Sequence, residues 1–173
     1  MAKSDSFFIR GIVQSNGTTY TQSEIDLGSF VNLGVSKSTL LRIHNVSVQM
    51  TDETIANPIA TDGNAKISHQ LTTQSQVGLV TADDKSLVAS GSLQLYNGAI
   101  SGSTYQTVNA VETFDLSPQT FTKGFLCAVD SLFLGVDLSV ALDSGNVKVA
   151  YVMECTLENA TQANSVALAL SQQ

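Results

Sequence analysis

The longest regular pattern in the chain covers 146–158, NVKVAYVMECTLE, where Val147, Val149, Tyr151, Met153, Cys155 and Leu157 occupy alternate positions. Lys148, Glu154, Thr156 and Glu158 fill most of the places between them. Side chains of a strand point to opposite faces with period two, so the segment predicts a strand with one core face and one mostly wet face. Strand-like segments recur at roughly 6–14, 22–31, 39–51, 64–74, 86–96, 105–116 and 124–138. Turn signals separate them: Asn16-Gly17, Asn57-Pro58, Asp62-Gly63, Asn97-Gly98, Ser117-Pro118 and Ser144-Gly145-Asn146. Eight or nine strands with no convincing long helix predict an all-β sandwich of two antiparallel sheets.

Two segments change phase within a run. In LLRIHNVSVQM the apolar set is Leu41 and Ile43, then Val46, Val48 and Met50, so the face switches across His44-Asn45. In FLCAVDSLFLGVDL it is Phe125, Cys127 and Val129, then Leu132, Leu134, Val136 and Leu138, with the switch across Asp130-Ser131. One extra residue is what a β-bulge inserts, and a turn between two strands has the same effect. At Asp130-Ser131 a turn or bend joining two strands is the favoured reading. Two places resist a strand assignment. TADDKSLVA, 81–89, fits one helical turn capped by Thr81 or Asp83. In the tail, Ala163, Val166, Ala167 and Leu170 fit a helical face behind Thr161, while Val166, Leu168 and Leu170 fit a strand.

With 173 residues and no linker-like boundary or repeat, the chain predicts one domain over 1–173, with 161–173 as a C-terminal interaction arm. Val166, Leu168 and Leu170 are the candidate subunit contacts, because no charged residue follows Glu158 and an apolar end needs a cover. Only 13% of residues are charged while 43% are hydrophobic, which describes a surface that is polar without being salty. Eight Lys and Arg against fifteen Asp and Glu give a net charge of −7. The cations, Lys3, Arg10, Lys37, Arg42, Lys66, Lys85, Lys123 and Lys148, are scattered. Phosphate binding needs clustered cations, so no direct nucleic-acid binding is expected. The apolar runs are too short and too interrupted for a membrane helix, and the N-terminus shows no secretory signal. Maturation in a cytosol is the expectation.

No motif for catalysis emerges, and the expectation is a protein that is not an enzyme and holds no cofactor and no metal. His44 and His69 have no nucleophile motif beside them and are too few for a metal site on strands. Asp83-Asp84 and the trio Asp130, Asp137 and Asp143 read as solvated turn residues rather than a calcium loop. Glu24, Glu53, Glu112, Glu154 and Glu158 carry no sign of a paired-carboxylate cleft. Cys127 and Cys155 sit among alternating apolar residues and read as buried thiols. The sequons at Asn16, Asn45 and Asn159 are chance products of a Ser, Thr and Asn-rich chain.

Four phrases carry a resemblance: DSFFIRGIVQSNGTTYTQSEIDLG, LLRIHNVSVQMTD, GLVTADDKSLVASGSLQLYNG, and the closing stretch from VDSLFLGVDLSV through ALSQQ. Together they resemble the single jelly-roll major capsid proteins of tailless icosahedral viruses of archaea and bacteria, including uncultured marine ones. The resemblance implies a jelly roll of two four-stranded sheets, self-assembling with identical subunits into capsomers and a closed icosahedral shell. It implies a virion protein synthesised in a host cytoplasm, and it carries no active-site residues. The chain departs from small genome-packaging capsids in having only Lys3 and Arg10 before residue 37. That argues for a shell over an internal membrane or over other proteins, and leaves room for a second capsid protein. The other reading kept open is a minor capsid, spike or decoration jelly roll that binds a receptor or ligand.

Overall fold

The computed structural model describes residues 5–33, 37–99 and 106–172. Within them the strands are β1 (Phe7–Gln14), β2 (Thr21–Asp26), β3 (Lys37–Asp52), β4 (Gly63–Thr72), β5 (Leu87–Ala99), β6 (Gln106–Leu116), β7 (Phe125–Cys127), β8 (Ser131–Leu138) and β9 (Val147–Thr161). A helix, α1 (Gln162–Ser171), follows β9 directly, and a 3-10 turn at Pro118–Thr120 precedes β7. One sheet has the order β1-β9-β3-β7 and the other β2-β8-β4-β5-β6, with every pairing antiparallel. The chain changes sheet at each step from β1 to β4 and again at each step from β6 to β9. That connectivity makes the sandwich a jelly roll. Strand β6, hairpinned onto β5, is one more than the two sheets of four that the resemblance implies.

The alternation at 146–158 does what its pattern predicts. Strand β9 lies between β1 and β3, and Val147, Val149, Tyr151, Met153 and Cys155 are fully buried while Leu157 is half-buried. Ile67, Leu71, Leu132, Leu134 and Val136 of the other sheet belong to the same core. Burying each large aliphatic side chain contributes about 1.5–3 kcal/mol, so this doubly flanked strand anchors the sandwich.

The phase change at His44-Asn45 is a bulge: β3 runs unbroken while its register on β9 slips between Ile43 and Asn45. The extra residue keeps Leu41, Ile43 and Val46 all pointing into the core. The change at Asp130-Ser131 is instead a bend between β7 in one sheet and β8 in the other, held by the Leu27 amide donating to the Asp130 carbonyl at 2.7 Å. Gly124 stands just before β7 with φ +63°, and a Cβ there would stand 2.2 Å from the Ile43 carbonyl oxygen. Only glycine lets the chain approach β3 this closely in that conformation.

Three expectations change. The strand expected at 22–31 stops at Asp26, because Asp26 Oδ1 accepts from the Gly28 amide at 2.7 Å and the Phe30 and Val31 amides turn back onto Leu27 O. In the segment 81–89, residues 81–87 form two successive β-turns and no helical turn before β5 begins: the Asp84 amide reaches Thr81 O, the Leu87 amide reaches Asp84 O, and Asp84 Oδ1 takes the Ser86 amide at 2.8 Å. An aspartate side chain competes for the local amides in both places. Asn97-Gly98 belongs to β5 and is not a turn, and residues 100–105 beyond it lie outside the described residues.

Candidate assembly surface

The tail resolves its ambiguity as a helix, and the helix docks by its polar residues. Thr161 Oγ1 accepts from the Asn164 amide at 3.4 Å, the cap expected of a threonine at that position. Ser165 Oγ lies 2.9 Å from both the Ser38 hydroxyl of β3 and the Gln162 carbonyl, and both serines are fully buried. At the far end the Gln172 side-chain amide donates to Leu126 O at 2.6 Å and accepts from the Ala128 amide at 3.0 Å. The Gln172 carbonyl accepts from Thr73 Oγ1 at 2.6 Å. A glutamine amide thus stands where another strand would satisfy the outer edge of β7.

Because the polar side docks, the apolar side faces out. Ala163, Val166, Ala167 and Leu170 follow the i, i+3, i+4, i+7 spacing of one helical face, and all four are exposed, Val166 at 44% and Leu170 at 65%. Val166, Leu168 and Leu170 do not share a face as the strand alternative supposed. Two residues are about 200° apart on a helix, so Leu168 turns away from the other two and is half-buried.

The other groups that the sequence singles out are each occupied locally. His44 Nε2 bonds Thr156 Oγ1 at 2.8 Å on the wet face of the first sheet. Beside it Arg42 pairs with Glu158 through Nε and, at 2.8 Å, through Nη2, while Nη1 donates to Lys123 O at 2.6 Å. These residues line a surface cleft of about 580 Å³ with Thr122 and Leu157. The Glu158 carboxylate raises the Arg42 guanidinium further above its ordinary value, so the cleft's main cation is already committed to an internal carboxylate.

His69 lies in the core, where Nδ1 bonds the Tyr151 hydroxyl and Nε2 has no hydrogen-bond partner. Burial pushes its pKa down to about 4. A Cβ on Gly91 of the neighbouring strand would come 2.8 Å from that Nε2, so the glycine makes room for the ring. Burial pushes the Cys127 and Cys155 thiols up to about 11 and about 12. Asp83 and Asp84 serve their own turn. Among the described residues no group of three or more His, Cys, Asp or Glu is placed to hold a metal ion, and no helix is long and apolar enough to cross a membrane.

Sequence reasoning missed Ser165, Gln172 and Gln119, whose amide bonds both backbone groups of Val46 on β3. In a chain rich in serine and glutamine, nothing local marks the few that replace a strand.

No family model matches the chain, and no curated protein matches it. Solved structures to which it is similar include VP1 of trichodysplasia spinulosa-associated polyomavirus in complex with GM1 oligosaccharide. That pair shares 11% identity over 90% of this chain and 95% of the other, with a TM-score of 0.43. Apo New Jersey polyomavirus VP1 shares 9% identity over 91% of this chain and 100% of the other, with a TM-score of 0.44. A mud crab dicistrovirus structure shares 12% identity over 91% of this chain and 71% of the other, with a TM-score of 0.32.

Proposed function

We propose that the chain is a structural subunit of a virus shell, a major capsid protein whose identical copies associate into capsomers and an icosahedral particle. The observation that carries this reading is the outward apolar face of α1, Ala163, Val166, Ala167 and Leu170. A helix anchored by buried polar contacts yet displaying leucine and valine to solvent is built to be covered. A second copy is the cover the reading names, and Val166 and Leu170 are its contacts. A surface with few charges suits repeated contacts, since Ser, Thr, Asn and Gln hydrogen-bond across an interface where unpaired charges would be costly to bury.

Sedimentation and negative-stain microscopy of the purified chain test the reading. Capsomers or closed shells support it. A monomer or an isolated trimer at all concentrations overturns it in favour of a spike or decoration domain. Assembly is expected to proceed after nuclease treatment, because no cluster of cations waits for phosphate.

A further inference from the structure

The sandwich is open along one side of β3. Strand β7 pairs with β3 only over Leu41 to Ile43. Past the bulge, the Gln119 side chain takes both backbone groups of Val46, its Oε1 accepting at 3.1 Å and its Nε2 donating at 3.0 Å. At the far end the Asp52 amide donates to Ala56 O at 2.9 Å. Backbone groups of alternate residues in a strand point to opposite sides, so Val46, Val48, Met50 and Asp52 all present theirs away from β9. The two ends are capped and the middle is not: no described residue pairs with Val48 or Met50 on that side. The stretch between the caps is about 20 Å long at strand rise.

A groove of about 540 Å³ runs beside this edge, lined by Val48, Met50, Pro58, Leu93, Ala110 and Glu112 among others. The second sheet roofs it, because β6 extends that sheet beyond β5 and the first sheet has no strand opposite among the described residues. Val48, Met50 and Leu93 pack on the core yet stay only partly buried, as side chains at the margin of an unfinished layer do. The one charged group on the lining is Glu112, which makes no ion pair among the described residues. It stands directly opposite Leu93 in the register of β5 and β6, so it shares the sheet face that Leu93 turns to the groove, and it is exposed there.

We propose that the β3 edge at Val48 and Met50 accepts an added strand from an extended segment of a partner chain, apolar on its inward face with one lysine or arginine there to meet Glu112. The backbone of the added segment completes the ladder that Gln119 and Ala56 bracket, and its inward side chains cover Val48, Met50 and Leu93. The Glu112 carboxylate selects the cation, since an acidic residue in that place would set like charges together in a partly desolvated groove. This inference stands on the edge and the groove alone and holds for a shell subunit and for a decoration domain alike.

A blocked seven-residue peptide alternating threonine and valine, with lysine replacing the central valine, tests it on the intact chain. At about 1 mM peptide, a concentration suited to a short strand, amide exchange at Val48 and Met50 should slow roughly tenfold while other edge amides stay unchanged. The same peptide with a central glutamate should protect them far less, and Glu112→Lys should reverse that preference. Equal protection by both peptides, or none at either amide, overturns the proposal. Protection of Val48 and Met50 that grows with protein concentration in the absence of peptide also overturns it, and assigns the edge to a second copy instead.

Discussion

The side-chain amide of Gln172 donates to the Leu126 carbonyl at 2.6 Å while its oxygen takes the Ala128 amide, so the residue that caps the end of α1 closes the edge of β7. The anchor of the tail and the completion of the sheet are the same contact. Gln172→Ala should remove both bonds from a buried position and cost about 1–3 kcal/mol in unfolding free energy. Faster exchange at the Ala128 amide, with β9 amides unchanged, checks it. An unaltered Ala128 rate would show that the edge is closed by other means.

Val149 is fully buried in the middle of β9, while its neighbour Lys148 points to the wet face. Val149→Asp should place an uncompensated carboxylate between the sheets and cost more than about 4 kcal/mol, enough to abolish cooperative folding. Lys148→Asp should stay within about 1 kcal/mol of the parent. Thermal unfolding of the two variants checks both, and the reverse ranking would invert the face assignment.

His69 makes stability depend on acid. Its ring is neutral in the fold down to about 4, whereas the unfolded chain protonates near 6.5. Between those values the unfolded state binds the extra proton, so stability should fall as pH drops from 6.5 toward 4 and level off below. The loss is worth about 3 kcal/mol. Asp52 and Asp84 have carboxyls held below 3.8 by hydrogen bonds from Thr54 and Ser86, so they act under this window. Denaturant titrations from pH 7 to 4 should show the slope in the parent and lose it in His69→Gln. A flat parent profile would contradict the buried neutral ring.

Both cysteines are buried thiols that burial keeps protonated well above neutral pH. A polar thiol reagent at pH 8 should therefore label neither until the domain unfolds, with labelling and unfolding rates coinciding. Rapid labelling of the native chain would place at least one thiol at the surface.

The sequence pattern carried the sandwich because period-two alternation in β9 and the phase changes in β3 and at Asp130 are direct consequences of which side chains face the core. The tail was only half legible. Its helical reading grouped the right residues on one face, but the anchors that turn this face outward, Ser165 and Gln172 with their buried partners, left no mark in the pattern. Those partners, Ser38, Leu126 and Ala128, lie 127, 46 and 44 residues away along the chain. No local periodicity encodes such pairings. The open stretch of β3 was hidden for the same reason, as it depends on where β7 ends and where Gln119 lands.

The outward face of α1 as the contact between copies is tested most directly by sedimentation velocity on the parent and on the Val166→Asp, Leu170→Asp double variant. Both positions are exposed, so the double variant should unfold with the parent's transition. The account predicts capsomers or shells for the parent and a folded species no larger than a few subunits for the variant. Particles of parental size from the folded variant would contradict it.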